Sequence, residues 1–180
     1  MESFDWAHGV FLGARMGSET TAAATSKVGQ LRRDPMAMLP FCGYNMGDYF
    51  AHWLFIGKKC KNPPKIFSVN WFRTDENGKF IWPGFGENIR VLKWIIDRVE
   101  GHAGAKETPL GLIPNMADFE TTALNIPSGR LAQLFDVNIG EWGDEAKDIR
   151  SFLDKFGDRT PKALESEYSR LISNAGLKAC

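Results

Sequence analysis

Asn70-Trp71-Phe72-Arg73, continuing through Lys79-Phe80-Ile81-Trp82-Pro83-Gly84-Phe85-Gly86-Glu87-Asn88, is the stretch around which the chain is organised. Five aromatic residues fall within these 19 positions, divided by an Asn77-Gly78 turn and a Pro83-Gly84 turn. Lys65 to Arg73 reads as a strand, because Phe67, Val69 and Trp71 share one parity and Ser68 and Asn70 the other. Phe72 falls on the polar parity, where a large ring needs a cover of later chain or a flat ligand. Asp75-Glu76-Asn77-Gly78 carries a hairpin signal, since Asn and Gly tolerate positive φ. The return strand then holds Phe80 and Trp82. Pro83 cannot donate a ladder bond and two glycines loosen the backbone, so the strand ends there. A helix follows, with Asn88 as its N-cap, Val91, Leu92, Ile95 and Val99 as its apolar stripe, and Gly101 as its stop.

Phe85, Gly86 and Glu87 thus sit on a glycine-hinged loop at a helix N-terminus. Such a place offers N–H groups, a positive dipole end and π-faces to a planar polar ligand. The plain alternative is that the rings fill a core, as most aromatic side chains do. Pattern alone favours the core.

The same residues, with Arg90-Val91-Leu92 after them, closely resemble the GTP-dependent phosphoenolpyruvate carboxykinase family. The resemblance implies that residues 65–101 bind the guanine base: Phe72 and Phe85 sandwich the purine, Phe80 closes one side, and Gly86, Glu87 and Asn88 meet its polar edge. It further implies an α/β (mixed α+β) fold, the C-terminal nucleotide-binding lobe of that family, with mixed strands and packed helices. On this basis residues 1–180 form a single partial domain, GTP and GDP are the nucleotides, and Mn2+ or Mg2+ serves the parent enzyme through ligands outside this chain.

Composition narrows the classes. Hydrophobic residues at 43% and charged residues at 24% are those of a soluble globular protein with a real core. Lys plus Arg and Asp plus Glu each number 22, and this balance disfavours a nucleic-acid or anionic-membrane binder driven by bulk charge. No apolar run is long enough to span a bilayer, and Met1-Glu2-Ser3-Phe4-Asp5 is not a signal peptide. Cys42, Cys60 and Cys180 lack metal spacing and suit a reducing compartment, so a cytoplasmic location is expected, with a mitochondrial one left open; a monomer is expected separately. His8, His52 and His102 form no ligand motif, and no metal site is expected in the chain.

Trp6 to Gly13 reads as a short buried strand, with His8 in a hydrogen-bonded structural role. Ser18-Glu19-Thr20-Thr21-Ala22-Ala23-Ala24 is small and polar, which fits a solvated loop or a mobile lid. Its resemblance to the family's Ω-loop implies a lid over residues 17–30, with Ser18 to Ala24 followed by Thr25, Ser26 and Lys27. Gly17, Thr25 and Ser26 depart from the family's more charged pattern. Arg32 to Phe41 reads as extended chain between Pro35 and Pro40, with Arg32 and Arg33 equally suited to a phosphate or to solvent. Met46, Tyr49, Phe50, Trp53 and Leu54 recur at helical spacing up to Gly57, and Lys58 to Pro64 is a basic loop. Thr108 to Pro114 reads as a connector with a short strand, Asn125 to Gly129 as a turn, and Leu131 to Val137 as a short helix. Two more helices follow. Glu141 to Phe156 buries Trp142, Ile149, Phe152, Leu153 and Phe156; the last is capped by Thr160 and buries Leu164, Tyr168, Leu171 and Ile172.

The resemblance weakens after Pro114 and covers about the C-terminal third of a family member. No Gly-x-x-x-x-Gly-Lys-Ser/Thr loop occurs, since Lys58 and Lys79 each follow a glycine but lack the rest. No catalytic residue is therefore assigned, and the chain alone is expected to be inactive. The expected function is the C-terminal part of the carboxykinase (oxaloacetate and GTP to phosphoenolpyruvate, GDP and CO2, in gluconeogenesis), with the oxaloacetate/phosphoenolpyruvate site in the missing upstream part. A non-catalytic guanine-nucleotide-binding or interaction module is the alternative, and a single-strand RNA binder a weaker one that the neutral charge disfavours.

Overall fold

A computed structural model describes residues 1–19 and 31–177. In chain order its elements begin with α1 (Trp6–Ala14), β1 (Gly17–Glu19), β2 (Leu31–Arg33) and α2 (Met46–Lys59). They continue with α3 (Asn88–Glu100), β3 (Ala105–Thr108), β4 (Gly111–Pro114), α4 (Ser128–Leu134), α5 (Trp142–Leu153) and α6 (Lys162–Asn174). The α/β character holds, with helices dominant and two small antiparallel ladders, β1 with β2 and β3 with β4. The chain gathers into two compact units, one of residues 4–64 with 139–180, the other of residues 1–3 with 65–138.

The first unit is built on α1, α2, α5 and α6. Trp6 to Gly13 is a helix, not a strand: Asp5 caps it by accepting the His8 N–H at 2.8 Å, and the segment buries His8, Val10, Phe11, Leu12 and Ala14. A helix buried on nearly every side loses its amphipathic period, so its sequence cannot be told from a buried strand. His8 is hydrogen-bonded as expected, its Nδ1 accepting the Phe4 N–H at 3.0 Å. Gly57 lets α2 lie against Trp6, because a Cβ there would come within 2.0 Å of the indole; the Trp6 Nε1–H donates to the Trp53 carbonyl at 2.8 Å. Ile149, Phe152, Leu153 and Phe156 are buried as the period requires, as are Leu164, Tyr168, Leu171 and Ile172. The Thr160 cap is displaced by one residue: Pro161 occupies the N-cap, while the Thr160 hydroxyl donates to the Leu153 carbonyl.

Arg32 to Phe41 is not extended throughout. After β2 it folds into two single 3-10 turns, Pro35–Ala37 and Leu39–Phe41, with each proline supplying the fixed φ of a turn start. Arg33 is buried between Glu145 (3.0 Å) and Asp148 (2.6 Å), and it also donates to the Arg15 carbonyl. It is a structural cation. Arg32 stays partly exposed beside Asp34 at 3.5 Å.

The second unit closes around Trp82, Trp94, Ala103 and Phe119, with Phe67, Trp71, Val91, Ile95 and Phe135 packed against them. The strand expected over Lys65 to Arg73 does not form. Phe67 makes one bridge to Glu2, which bridges Leu112 on its other side, and Ile66 and Ser68 bond to Ser3 and Met1 without extending the pairing into a ladder. Glu2 is buried and neutralised by Arg98 (2.7 Å) and Lys65 (3.1 Å). Thr108 to Pro114 is the turn and second strand of the β3–β4 hairpin, whose first strand, Ala105 to Thr108, the alternation missed because it is mostly polar. The expected turn and helix near 125–137 begin three residues early, with α4 starting at Ser128. In α3 the buried anchor is Trp94; Leu92 and Val99 of the expected stripe are exposed, as are Ile89 and Ile96. Gly101 ends α3 in the left-handed region at φ 80°, as its sequence position requires.

Candidate nucleotide-base site

The residues expected to hold a base lie in the second unit, on a hairpin and the turn that follows it. The hairpin is short. Thr74 faces Phe80, the Asp75 N–H donates to the Lys79 carbonyl at 2.8 Å, and the Ile81 N–H donates to the Arg73 carbonyl at 2.9 Å. Gly78 takes φ 73° at the tip, as its turn position requires. Asp75 braces it. Its carboxylate accepts the Asn77 and Lys79 N–H groups, each at 2.9 Å, and pairs with Arg130. The Lys79 N–H, with help from Arg130, holds this carboxyl below its ordinary range. Arg73 adds a bond to the Asp136 carbonyl at 2.9 Å.

On this braced hairpin Phe72 and Phe80 stand 5.8 Å apart at 61° and are 70% and 59% exposed. They are not core. Trp71 and Trp82, one residue from Phe72 and two from Phe80, turn inward and lie 6.2 Å apart. Gly84 then takes φ 122°, which no L side chain adopts without strain, and the chain swings into a single 3-10 turn, Phe85–Glu87. Phe85 leaves that turn 91% exposed. Gly86 is a glycine for neither of the usual reasons: its φ is ordinary and a Cβ there would touch nothing within 4 Å. The space above its backbone is open. No ring contact joins Phe85 to Phe72 among the described residues; a pair holding a planar base between its faces needs a gap of about 7 Å, twice a carbon contact distance.

Glu87 and Asn88 differ from expectation. The Glu87 carboxylate accepts from Arg90 through Oε2 at 2.5 Å, and its N–H donates to the Gly84 carbonyl at 3.1 Å. Asn88 is not the N-cap of α3 but its first helical residue, at φ −59° and ψ −28°. Its Oδ1 instead accepts the Trp82 Nε1–H at 2.8 Å. Sequence reasoning missed that bond, and the bracing by Asp75 and Arg130. The Asp75-x-Asn77 pair is a legible Asx-turn signal; Trp82 with Asn88 is not, because the contact crosses a turn of unforeseeable geometry.

Of the expected lid, Gly17 faces Arg33 and Ser18 faces Arg32 in the β1–β2 ladder, and the Ser18 hydroxyl donates to Asp34 at 3.1 Å. Residues 20–30, which include Thr20 to Lys27, lie outside the described residues. Among the described residues no three His, Cys, Asp or Glu side chains gather as a metal site.

The chain matches the family model described as the phosphoenolpyruvate carboxykinase C-terminal P-loop domain over residues 1–174. It is 52% identical over 173 residues to a phosphoenolpyruvate carboxykinase (GTP) of Neocallimastix frontalis, covering 94% of this chain and 28% of that protein. It is 49% identical over 172 residues to the protein of the same name from Anaeromyxobacter dehalogenans strain 2CP-C, covering 96% of this chain and 29% of that one. The chain thus spans under a third of the length of the relatives it matches. Matched almost end to end at this identity, it belongs to the phosphoenolpyruvate carboxykinase family, in its C-terminal P-loop domain.

Proposed function

We propose that this chain supplies guanine recognition to a GTP-dependent phosphoenolpyruvate carboxykinase, with Phe72, Phe80, Phe85, Gly86, Glu87 and Asn88 as the base site. The observation that carries the reading is a contrast within one segment: Trp82 is buried and Trp71 partly so, while Phe72, Phe80 and Phe85 face solvent and the space above the Gly86 backbone is open. Rings that keep most of their surface in solvent are available to stack on a base, a contact worth about 1–3 kcal/mol per ring. Stacking is indifferent to which purine is held, so the choice of guanine falls to polar groups at the base edge. Asn88 is the group in place for that. Residues 17–30 act as the lid, and residues 65–101 as the base-binding segment, of the parent active site.

The parent reaction in this reading decarboxylates oxaloacetate and passes the γ-phosphoryl of GTP to the resulting enolate, giving phosphoenolpyruvate, GDP and CO2. A divalent ion, Mn2+ or Mg2+, would steady the phosphates there. The described residues offer no fitting ligand set, so none of this chain's side chains is assigned to it. The sequence also carries no triphosphate loop of the Gly-x-x-x-x-Gly-Lys type. A monomer in the cytoplasm belongs to the same reading, supported by the free thiols of Cys42 and Cys60. No helix among the described residues is long and apolar enough to cross a membrane.

Two measurements test this. The purified 180-residue chain, given oxaloacetate, GTP and manganese, is expected to form no phosphoenolpyruvate above a mock preparation; turnover would place the missing chemistry in this chain. Mass analysis of the native protein should find a species near the full family length. A stable product of 20.2 kDa would instead favour a free-standing guanine-nucleotide module.

A further inference from the structure

We propose that Trp82 is a positioning residue that sets the base preference of this site by holding Asn88 in one orientation, an inference that rests on the base-site reading above. An indole N–H is a donor and nothing else, so whatever it meets on Asn88 must be the carbonyl oxygen. The 2.8 Å bond from Trp82 Nε1 to Asn88 Oδ1 therefore fixes which end of the amide points away. Trp82 is itself buried in the core, between Trp71 and Phe119. Asn88 is only half-buried, and among the described residues no partner takes its amide N–H groups. With its oxygen held by the indole, Asn88 offers a ligand the donor end of its amide.

That matters at one purine position. Guanine and hypoxanthine carry an oxygen on C6, an acceptor; adenine carries an amino group there, a donor. A locked donor at that position bonds the 6-oxo purines and opposes the 6-amino purine, leaving a polar group unpaired with the wrong base. A free asparagine would discriminate poorly, because a half-turn of its amide offers the oxygen to adenine. In this account the base preference comes from the indole rather than from Asn88 alone.

The test titrates the 180-residue chain with GMP, IMP and AMP, following its aromatic and indole NMR signals, which report weak binding. The wild-type chain should bind GMP and IMP more tightly than AMP. In W82F the AMP-to-GMP ratio of dissociation constants should fall about 2–10-fold, the worth of one hydrogen bond, through tighter AMP binding. In an Asn88→Ala background the same change should leave the ratio where it was. Benzothienylalanine placed at position 82 replaces the N–H with sulfur at nearly constant shape. It should act as W82F does, and it answers the question if W82F fails to fold. A full guanine preference retained without the indole N–H overturns this inference and leaves the base site standing. Equal weakening of all three nucleotides reduces Trp82 to core packing and also overturns it. A wild-type chain that binds none of them overturns the base-site reading, and this inference with it.

Discussion

Three phenylalanines of each unit have opposite fates. In the helical unit Phe50, Phe152 and Phe156 meet edge to face at 5.0–5.3 Å and are buried, Phe50 completely. In the other unit Phe72, Phe80 and Phe85 stand in solvent although Trp82, two residues from Phe80 and three from Phe85, is buried and Trp71 beside Phe72 is partly so. The amino acid is the same, so hydrophobicity does not decide the outcome. Position does: Phe50 lies on the inward side of α2 and Phe152 and Phe156 on the inward side of α5 and its continuation, whereas the exposed three sit on a hairpin and a glycine-hinged turn that give them no inward face. Free energy left unspent on packing is available for binding.

The contrast is broken most sharply by truncating a ring in the helical core. Phe50→Ala should lower the unfolding free energy by about 3–5 kcal/mol, read from urea denaturation, because the cavity cannot fully collapse. A loss under ~1 kcal/mol would mean that this ring is no better packed than the exposed three. Next in size is Gly57→Ala, where a Cβ only 2.0 Å from the Trp6 indole forces α1 and α2 apart. Overpacking of this kind should cost about 1–3 kcal/mol, seen as a lower melting temperature; an unchanged melting temperature would contradict the close approach of these helices.

His8 gives a pH arm to the same unit. Burial first, then the charges of Arg170 and Arg15 against the opposing Asp5, pull its pKa down from 6.5 to about 4. Between these values the unfolded chain binds a proton that the folded chain does not, so stability is lost as pH falls from about 6.5 towards 4. The His8 imidazole carbon-bound proton shifts should accordingly hold their neutral positions at pH 5.5. Titration near 6.5 would show the histidine to be solvent-accessible. The smallest expected effect on stability is that of Phe85→Ala, within ~0.5 kcal/mol of the parent, because the ring is 91% exposed.

Much of this was legible beforehand, for physical reasons that differ by region. The helices α2, α5 and α6 announced themselves because one face is wet and the other dry, so Phe50, Ile149 and Leu164 fall at a helical period. Trp6 to Gly13 misled because a helix buried on almost every side has no wet face to mark its period. Lys65 to Arg73 misled in the opposite sense: it alternates as a strand should, but its pairing with Met1 to Ser3 stays a single bridge. Of the base site, Phe72 falls on the polar parity, yet pattern alone favours a core role for the rings, because aromatic side chains mostly pack inside. The commitment of Glu87 to Arg90 and of Asn88 to Trp82 was not readable, since local spacing allowed a cap at Asn88 equally well.

The most direct test of the central claim compares GMP binding by the 180-residue chain and by its Phe85→Ala variant, using the indole NMR signals of Trp71 and Trp82 beside the site. A ring that stacks on the base should cost about 1–3 kcal/mol of affinity when removed, roughly a 5- to 150-fold rise in the GMP dissociation constant, with the melting temperature unmoved. Unaltered GMP affinity in that variant would contradict the account and place the base elsewhere.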